Sequence, residues 1–347
     1  MNSPERKYFD AIIDPLLDRY QRLPEKFITR NYLFNDLSVK IVFSANSDVS
    51  CLTKAIDHLR SDLKRKDALT IFCNDSIEGE FTLPFFPWAD RISSEKKEIP
   101  YYKKDGIFMS KSPESNVLSF LDKDNGTGVY WITDFSKLPQ YERAAPFRTI
   151  FQWWFGSFGC EMVHAAAVGM GPHGVLMPGG GGLGKSTNSV NCLESGMDFY
   201  GDDYVLLCKN GKYNIISLYN TAKLDSNSMK FFPFLQSSEK DNHRGQADKS
   251  VIFLNEYFGE RIKNYTDLKC IIVPEISNKS ESKIEEISAS ECFKKMAPST
   301  IFQHIGSTKK IFKFIYELTN NVPCYKVLSG TDLKSTAKRV KEFVELK

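Results

Sequence analysis

The sequence predicts an α/β fold built around a glycine-rich loop, and three observations support this prediction. A short apolar run at 175–177 leads into four consecutive glycines, and a helical pattern follows them as far as Gly196. Residues 37–43 alternate apolar and polar side chains, as a half-buried strand does. Residues 68–73 form the short apolar run that is typical of a buried strand. Strand and helix patterns therefore occur in both halves of the chain.

Two domains are expected, because the chain has 347 residues and one domain usually has roughly 100–200. Residues 1–145 are predicted to form the smaller one, an α/β or α+β domain in which 52–63 is a helix and 128–132 is a strand. This half carries no catalytic motif, so substrate recognition is the hypothesis for it. Residues 146–347 are predicted to form the second, larger domain.

The second domain is predicted to begin with an amphipathic helix. Its apolar residues recur at helical spacing and are Phe147, Ile150, Phe151, Trp154 and Phe158. Pro146 suits the first turn and Gly159 the end of this helix, and core packing is favoured over a ligand site. A strand over 161–168 follows. Asn210-Gly211 predicts a hairpin, and residues 333–344 carry the apolar stripe of a closing helix.

Composition limits the class of protein. The net charge of +3 at pH 7 argues against dedicated nucleic-acid binding, which usually requires a clear basic excess. The chain has no run of 18 apolar residues and no apolar signal core near its first residues, so neither a membrane span nor export is expected. The eight cysteines form no C-x-x-C pair. Reduced, buried thiols in a cytoplasmic protein are therefore expected, rather than a disulfide framework or a zinc ribbon.

The segment Gly179 to Ser186 fits the pattern G-x-x-x-x-G-K-[ST], the Walker A motif or P-loop. Glycines let the main chain curl so that consecutive N–H groups point at phosphate oxygens, and the following helix directs its positive end at the same anion. Lys185 can reach the β- and γ-phosphates, and Ser186 can hold the Mg²⁺ that bridges them. The predicted nucleotide-binding residues are Gly179, Gly180, Gly181, Gly182, Leu183, Gly184, Lys185, Ser186 and Thr187. A flexible glycine linker is the alternative, and the flanking strand and helix argue against it.

Asp202 and Asp203 lie between that helix and the apolar strand predicted at 204–207. Mg²⁺ prefers carboxylate oxygen, and an attacking hydroxyl needs a base within hydrogen-bond reach. Two adjacent carboxylates can divide these tasks, and their mutual repulsion can raise one pKa. Gly-Asp-Asp is also common in turns. Beside a P-loop, the functional interpretation is favoured.

His164 interrupts the otherwise apolar segment 162–168. A single buried histidine usually serves only to complete a hydrogen bond. Here the next strand along the chain is the one that enters the P-loop. If the two strands are neighbours in one sheet, His164 comes close to the phosphate site, where it can orient or tune an aspartate.

These residues carry a resemblance to the C-terminal catalytic domain of HPr kinase/phosphorylase. That domain belongs to a P-loop superfamily that includes ATP-dependent phosphoenolpyruvate carboxykinase. The segments concerned are Val163–Val168, Gly174–Met177, the P-loop and Gly201–Val205. The resemblance covers about 146–347 and is strongest over about 160–207. Residues 297–303 and 323–325 are also similar to HPr-kinase-like serine kinases found beside peptide-modification genes, including kinases of lasso-peptide precursors.

The resemblance implies a mixed-sheet P-loop fold of the HPr-kinase and carboxykinase type for the second domain. It also implies ligand-binding roles for particular residues. Residues 179–184 would wrap the phosphates, with Lys185 pairing their charge. Ser186 would bind Mg²⁺, and Asp203 would help to hold the metal through water.

The resemblance implies catalytic roles as well. Asp202 would be the base for the attacking hydroxyl, and His164 would support Asp202. Lys223 would steady the transferred phosphoryl group, with an ordinary surface lysine as the alternative. Two features depart from the bifunctional enzymes: residues 180–182 are all glycine instead of including serine, and no glutamate-arginine-glycine stretch follows the aspartates. Both departures argue against phosphorolysis and against HPr as the substrate.

The main hypothesis is therefore an ATP- and Mg²⁺-dependent kinase that transfers the γ-phosphoryl group to a hydroxyl, in the first place a serine of a peptide or protein. Two alternatives stay open: a kinase of small metabolites, and a nucleotide-binding sensor or scaffold without turnover. The choice of ATP over GTP rests on the resemblance alone. The bifunctional relatives assemble into rings, which makes a homo-oligomer a further hypothesis.

Overall fold

The computed structural model describes residues 4–44, 49–63, 68–76, 84, 101–112, 114–235, 239–241, 249–306 and 308–346. Contacts divide the chain into two units. The first unit is Met1–Lys54 with Leu59–Ser157, and the second is Ala55–His58 with Phe158–Lys347. Both are mixed α/β structures. None of the helices in the described residues combines the length and the apolar character needed to cross a membrane.

The first unit contains one sheet with helices on its faces. Its helices are α1 (Pro4–Arg22), α2 (Ser50–Thr53), α3 (Gln140–Ala144) and α4 (Arg148–Gly156). Its strands are β1 (Phe27–Phe34), β2 (Leu37–Ser44), β3 (Leu69–Asp75), β4 (Tyr101–Lys104), β5 (Ile107–Lys111), β6 (Leu118–Asp122) and β7 (Thr127–Ile132). The strand order in the described sheet is β1-β2-β3-β7-β6-β5-β4. The pairs β2–β3 and β3–β7 are parallel, and the other pairs are antiparallel.

Contacts place the aromatic helix α4 in the first unit, whereas 145/146 was the boundary expected from the sequence. The rings of Phe151 and Phe155 lie 5.0 and 5.3 Å from that of Phe34 on β1. Phe147, just before α4, lies 4.8 Å from Tyr130 on β7. The predicted stripe is therefore core, but it is the core of the preceding sheet, and the division by contacts falls at 157/158.

The second unit contains a larger mixed sheet, a small sheet and six helices within its described residues. The helices are α5 (Lys185–Glu194), α6 (Ser226–Met229), α7 (Asn255–Phe258), α8 (Ala289–Gln303), α9 (Thr308–Asn321) and α10 (Leu333–Leu346). The strands are β8 (Cys160–Val163), β9 (Ala165–Met170), β10 (His173–Pro178), β11 (Asp198–Gly201), β12 (Val205–Asn210), β13 (Lys212–Ser217), β14 (Thr221–Asp225), β15 (Glu239–Asp241), β16 (Lys249–Phe253), β17 (Tyr265–Ile276), β18 (Lys283–Glu286) and β19 (Cys324–Ser329).

The larger sheet places its helices in two layers. Its described strand order is β11-β9-β10-β17-β13-β12-β8, with β19 pairing with β17 and β18. Because successive strand residues face opposite sides, Ala166 and Met177 pack with residues of α5 and α10. Ala167 and Leu176 pack with residues of α8 and α9. The smaller sheet, β14-β16-β15, begins with the strand that carries Lys223.

The strand predicted at 161–168 is two strands, because His164 breaks it. The His164 N–H group donates to Thr300 Oγ1 on α8 at 3.2 Å instead of continuing a ladder. The predicted hairpin at Asn210-Gly211 is confirmed, with β12 and β13 paired antiparallel up to Asn210 and Lys212.

Two cysteines differ from the expectation of reduced thiols. Cys160 on β8 and Cys208 on β12 are directly opposite each other in an antiparallel pair and form a disulfide. The other six cysteines are thiols, and five of them are buried. The cross-strand register brings the two together, although 48 positions separate them in the sequence.

A short segment from the N-terminal half belongs to the second unit. The Ala55 carbonyl accepts a hydrogen bond from the Asn220 N–H group at 2.8 Å. His58 Nε2 lies 2.8 Å from Ser217 Oγ, at the end of β13. Burial lowers the pKa of His58 to about 3, so this ring is neutral at pH 7.

Candidate active site

The glycine-rich loop joins β10 to α5, so the predicted order of strand, loop and helix is present. Gly182 and Gly184 have φ values of +83° and +84°, in the left-handed region that strains residues with side chains. Gly180 and Gly181 differ, because a Cβ built at either would meet no atom within 4 Å. The fold itself does not require glycine there, and the open space lets a ligand approach the main chain closely.

The start of α5 adds hydrogen-bond donors to this loop. The Asn188 N–H group bonds to the Gly184 carbonyl at 2.9 Å. The N–H groups of Lys185, Ser186 and Thr187 precede that first intrahelical bond, so they belong to the positive end of the helix. This arrangement suits an anion, although binding of a phosphate stays a prediction.

Asp202 follows β11 and is 2% exposed. Its Oδ2 accepts the Lys223 N–H group at 3.3 Å, and the Ser186 hydroxyl also hydrogen-bonds to this carboxylate. Oδ1 is buried and has no hydrogen-bond partner within the described residues. Burial, and secondly the charge of Asp203, raise the pKa of Asp202. The residue therefore keeps an unused acceptor in a dry position beside the loop.

Asp203 has a different environment, although it is the next residue. Its Oδ1 lies 3.4 Å from His164 Nε2 and 3.6 Å from Lys185 Nζ, and its Oδ2 lies 3.4 Å from Lys223 Nζ. Its side chain is 20% exposed. Burial by itself would raise the pKa of Asp203, but Lys223, the hydrogen bond from His164 and then Lys185 outweigh it and hold the pKa well below the usual range.

The structure brings the predicted side chains at positions 164, 185, 186, 202, 203 and 223 together at the end of the loop. One contact differs from the expectation: His164 lies against Asp203, whereas it was expected to support Asp202. Thr187 is also placed differently from its neighbours in the helix, because its Oγ1 lies 2.9 Å from Ser228 Oγ. None of these contacts tests the role that was predicted for each residue.

Two supporting contacts were not foreseen. Thr300 fixes the main chain at His164, and the Asn188 side-chain amide donates to Ser329 Oγ at 3.0 Å behind the start of α5. Thr300 lies in the segment 297–303, which is similar to HPr-kinase-like serine kinases. That similarity assigned no role to Thr300. Neither Asn188 nor Ser329 belongs to a motif that could have indicated this bond.

No protein-family model matches this chain, and no curated protein matches it. Among solved structures, the HPr(Ser) kinase/phosphatase from Coxiella burnetii matches over 54% of this chain and 93% of its own chain, with 13% sequence identity and a TM-score of 0.30. A likeness this weak supports no inference about fold or activity. Within the described residues, no group of three or more His, Cys, Asp or Glu side chains is arranged to hold a metal ion.

Proposed function

We propose that the second unit is an ATP- and Mg²⁺-dependent phosphotransferase that moves the γ-phosphoryl group to a hydroxyl, in the first place a serine of a peptide or protein. The observation that supports this best is the convergence of Lys185, Lys223 and His164 on Asp203, beside the glycine loop. Phosphoryl transfer requires mainly positioning and neutralisation of charge. Two largely buried lysines around one carboxylate provide both.

Ser186 and Asp202 are the residues we assign to Mg²⁺. A hydroxyl and a carboxylate are hard oxygen ligands, and these two lie within hydrogen-bond contact. The unpartnered Oδ1 of Asp202 has the lone pairs that a cation requires. Mg²⁺ in phosphate-transfer sites usually takes only one or two protein carboxylates and completes its shell with water and phosphate oxygens. When bound, the ion withdraws charge from the phosphates.

Asp203 is our candidate for the base, which exchanges the roles expected from the sequence. Its side chain is 20% exposed, so an acceptor hydroxyl can reach it. The pKa of Asp203 is low because lysines surround the carboxylate. A bound triphosphate competes for Lys185 and Lys223, which raises that pKa toward the range in which a carboxylate accepts a proton. His164 then keeps the carboxylate oriented.

The first experiment identifies the reaction. The full-length protein is incubated with γ-labelled ATP, Mg²⁺ and a cell extract, and the products are separated by size. We expect label on serine in the peptide or protein fraction. Label confined to small molecules would reject the peptide acceptor, and tight ATP binding with neither transfer nor hydrolysis would reject a kinase in favour of a sensor.

The second experiment separates the two aspartates. Asp203→Asn is expected to bind ATP normally but to lose transfer by about 10²- to 10⁴-fold, the usual contribution of a positioned base. Asp202→Asn is expected to raise the Mg²⁺ concentration that gives half-maximal transfer. The reverse result, with the Mg²⁺ requirement changed only in Asp203→Asn, would restore the assignment made from the sequence.

A further inference from the structure

The first turn of α5 has two differently occupied sides. Lys185 and Ser186 face the aspartates. Thr187 Oγ1 instead lies 2.9 Å from Ser228 Oγ on α6. Successive residues of a helix project about 100° apart, so the Ser228 side is a separate approach to the same loop. If the γ-phosphate lies at Asp203, the nucleoside must lie on a different side of the loop. The side next to Ser228 is one such position.

An aromatic residue, Phe231, follows Ser228 by one turn of the chain. The Phe231 N–H group bonds to the Ser228 carbonyl and the Phe232 N–H group to the Met229 carbonyl, each at 3.1 Å. These are i to i+3 bonds, and in such a turn the side chains at i and i+3 align. Phe231 therefore lies one turn along the chain from Ser228, whose hydroxyl contacts Thr187 in the first turn of α5.

Phe231 is held in an exposed position by its neighbours. Phe232 and Leu235 are buried in the core that also contains residues of α5, so the main chain of this segment is anchored. Phe231 is nevertheless 54% exposed and makes no ring contact within the described residues. Phe234 is different, because its ring packs edge-on against Phe258 at 6.0 Å. Phe231 is thus an exposed aromatic side chain in a segment whose buried neighbours share a core with α5.

We propose that Phe231 is the stacking platform for the base of the nucleoside triphosphate. This inference rests on the proposed function, since it takes the triphosphate to lie in the loop. Every base has a π-face, so stacking binds purines without reading their edges. ATP and GTP are therefore expected to bind with similar affinity, which bears on a choice that the sequence left to the resemblance alone.

The test compares ligands with and without a base. Dissociation constants for ATP, GTP and inorganic tripolyphosphate are measured by calorimetry with Mg²⁺ on the full-length protein. Phe231→Ala is expected to weaken ATP and GTP by about tenfold, within the usual range for loss of one aromatic–base stack, and to leave tripolyphosphate unchanged. Phe231→Trp is expected to retain the affinity for both nucleotides. The matched control is Phe312→Ala on α9, since Phe312 is 51% exposed and its helix packs on the opposite face of the sheet.

Three results would overturn the platform. The first is unchanged ATP binding in Phe231→Ala, the second is an equal loss for ATP and tripolyphosphate, and the third is an equal loss in Phe312→Ala. Wild-type protein that binds tripolyphosphate as tightly as ATP would reject the platform while leaving the phosphate site intact. Wild-type protein that binds neither ligand would reject the proposed function itself, and the platform with it.

Discussion

Each unit of the molecule contains a buried aspartate, and the two are treated in opposite ways. In the first unit, Asp122 forms an ion pair with Arg6. It also accepts the Asn125 side-chain amide at 2.7 Å and the N–H groups of Asp124 and Asn125 at 3.1 and 3.2 Å. Burial raises its pKa, but the bonds from Arg6 and Asn125 outweigh this and lower it. This carboxylate is fully used by the fold.

In the second unit, Asp202 has an unpartnered oxygen and a raised pKa. Its ionised form is therefore disfavoured by its own environment. Asp122 therefore stabilises the folded protein, whereas the ionised form of Asp202 costs stability. Residues that cost stability concentrate at functional sites, so Asp202 is expected to serve function. Substitutions at each place can test this distinction.

The largest expected effect is on catalysis. Lys185→Ala removes a buried positive charge from the proposed phosphate site, and transfer should fall by about a thousandfold, as when a positioned charge or donor is lost. The midpoint of thermal unfolding should change little, because Lys223 and His164 still contact Asp203. Radiolabel transfer and calorimetry on the same preparation measure both quantities.

Lys209→Ala is the control for this substitution, since Lys209 is an exposed residue whose ammonium lies 3.3 Å from Glu317. Its transfer rate should match that of the wild type. If Lys185→Ala kept its activity and only lowered stability, Lys185 would be a structural residue like Arg6.

The next effect is on stability of the first unit. Asp122→Asn weakens charge-assisted bonds and should lower the free energy of unfolding at pH 7 by about 2 kcal/mol. The pKa of Asp122 is lowered on folding, so its contribution is present above the unfolded value of 3.8 and is lost as the pH falls below it. Urea titrations at pH 7 and near pH 3 should therefore differ, with the variant and the wild type converging in acid. Asp62→Asn, at an exposed position, is the control, and an equal loss there would show that the effect is not specific.

The smallest effect has the opposite sign. Asp202→Asn should raise the free energy of unfolding of the second unit at pH 7 by about 1 kcal/mol, as changes at functional sites can. The pKa of Asp202 is raised on folding. As the pH rises above 3.8, the unfolded state loses this proton while the native state still holds it, so the free energy of unfolding declines. The gain should disappear below pH 3.8. A loss of stability at pH 7 would place Asp202 in the same class as Asp122.

The sequence predicted most of the elements that have one clear periodicity. Residues 37–43 lie within β2, and all but the first residue of the run 68–73 lie within β3, because alternation and short apolar runs report burial directly. Helix α1 was not predicted, and its sequence includes an internal proline at Pro15. The break at His164 depends on a bond to Thr300, which is distant in sequence, so local patterning could not have indicated it.

The members of the candidate site could be named in advance, but their pairing could not. The glycine-rich loop fixes the positions of Lys185 and Ser186, because these residues must follow its curled main chain into α5. The choice between Asp202 and Asp203 as the partner of His164 depends on backbone geometry, and Asp203 has a left-handed φ of +64°. The Cys160–Cys208 bridge likewise depends on strand register, which the spacing of cysteines does not encode.

The segment Ala55–His58 limits how the second unit can be inherited. A gene fragment that encodes only residues 158–347 lacks the carbonyl that holds Asn220 and the imidazole beside Ser217. Recombination that moved this fragment alone into another protein would deliver an incomplete module. We therefore expect the two halves of the coding sequence to be inherited together.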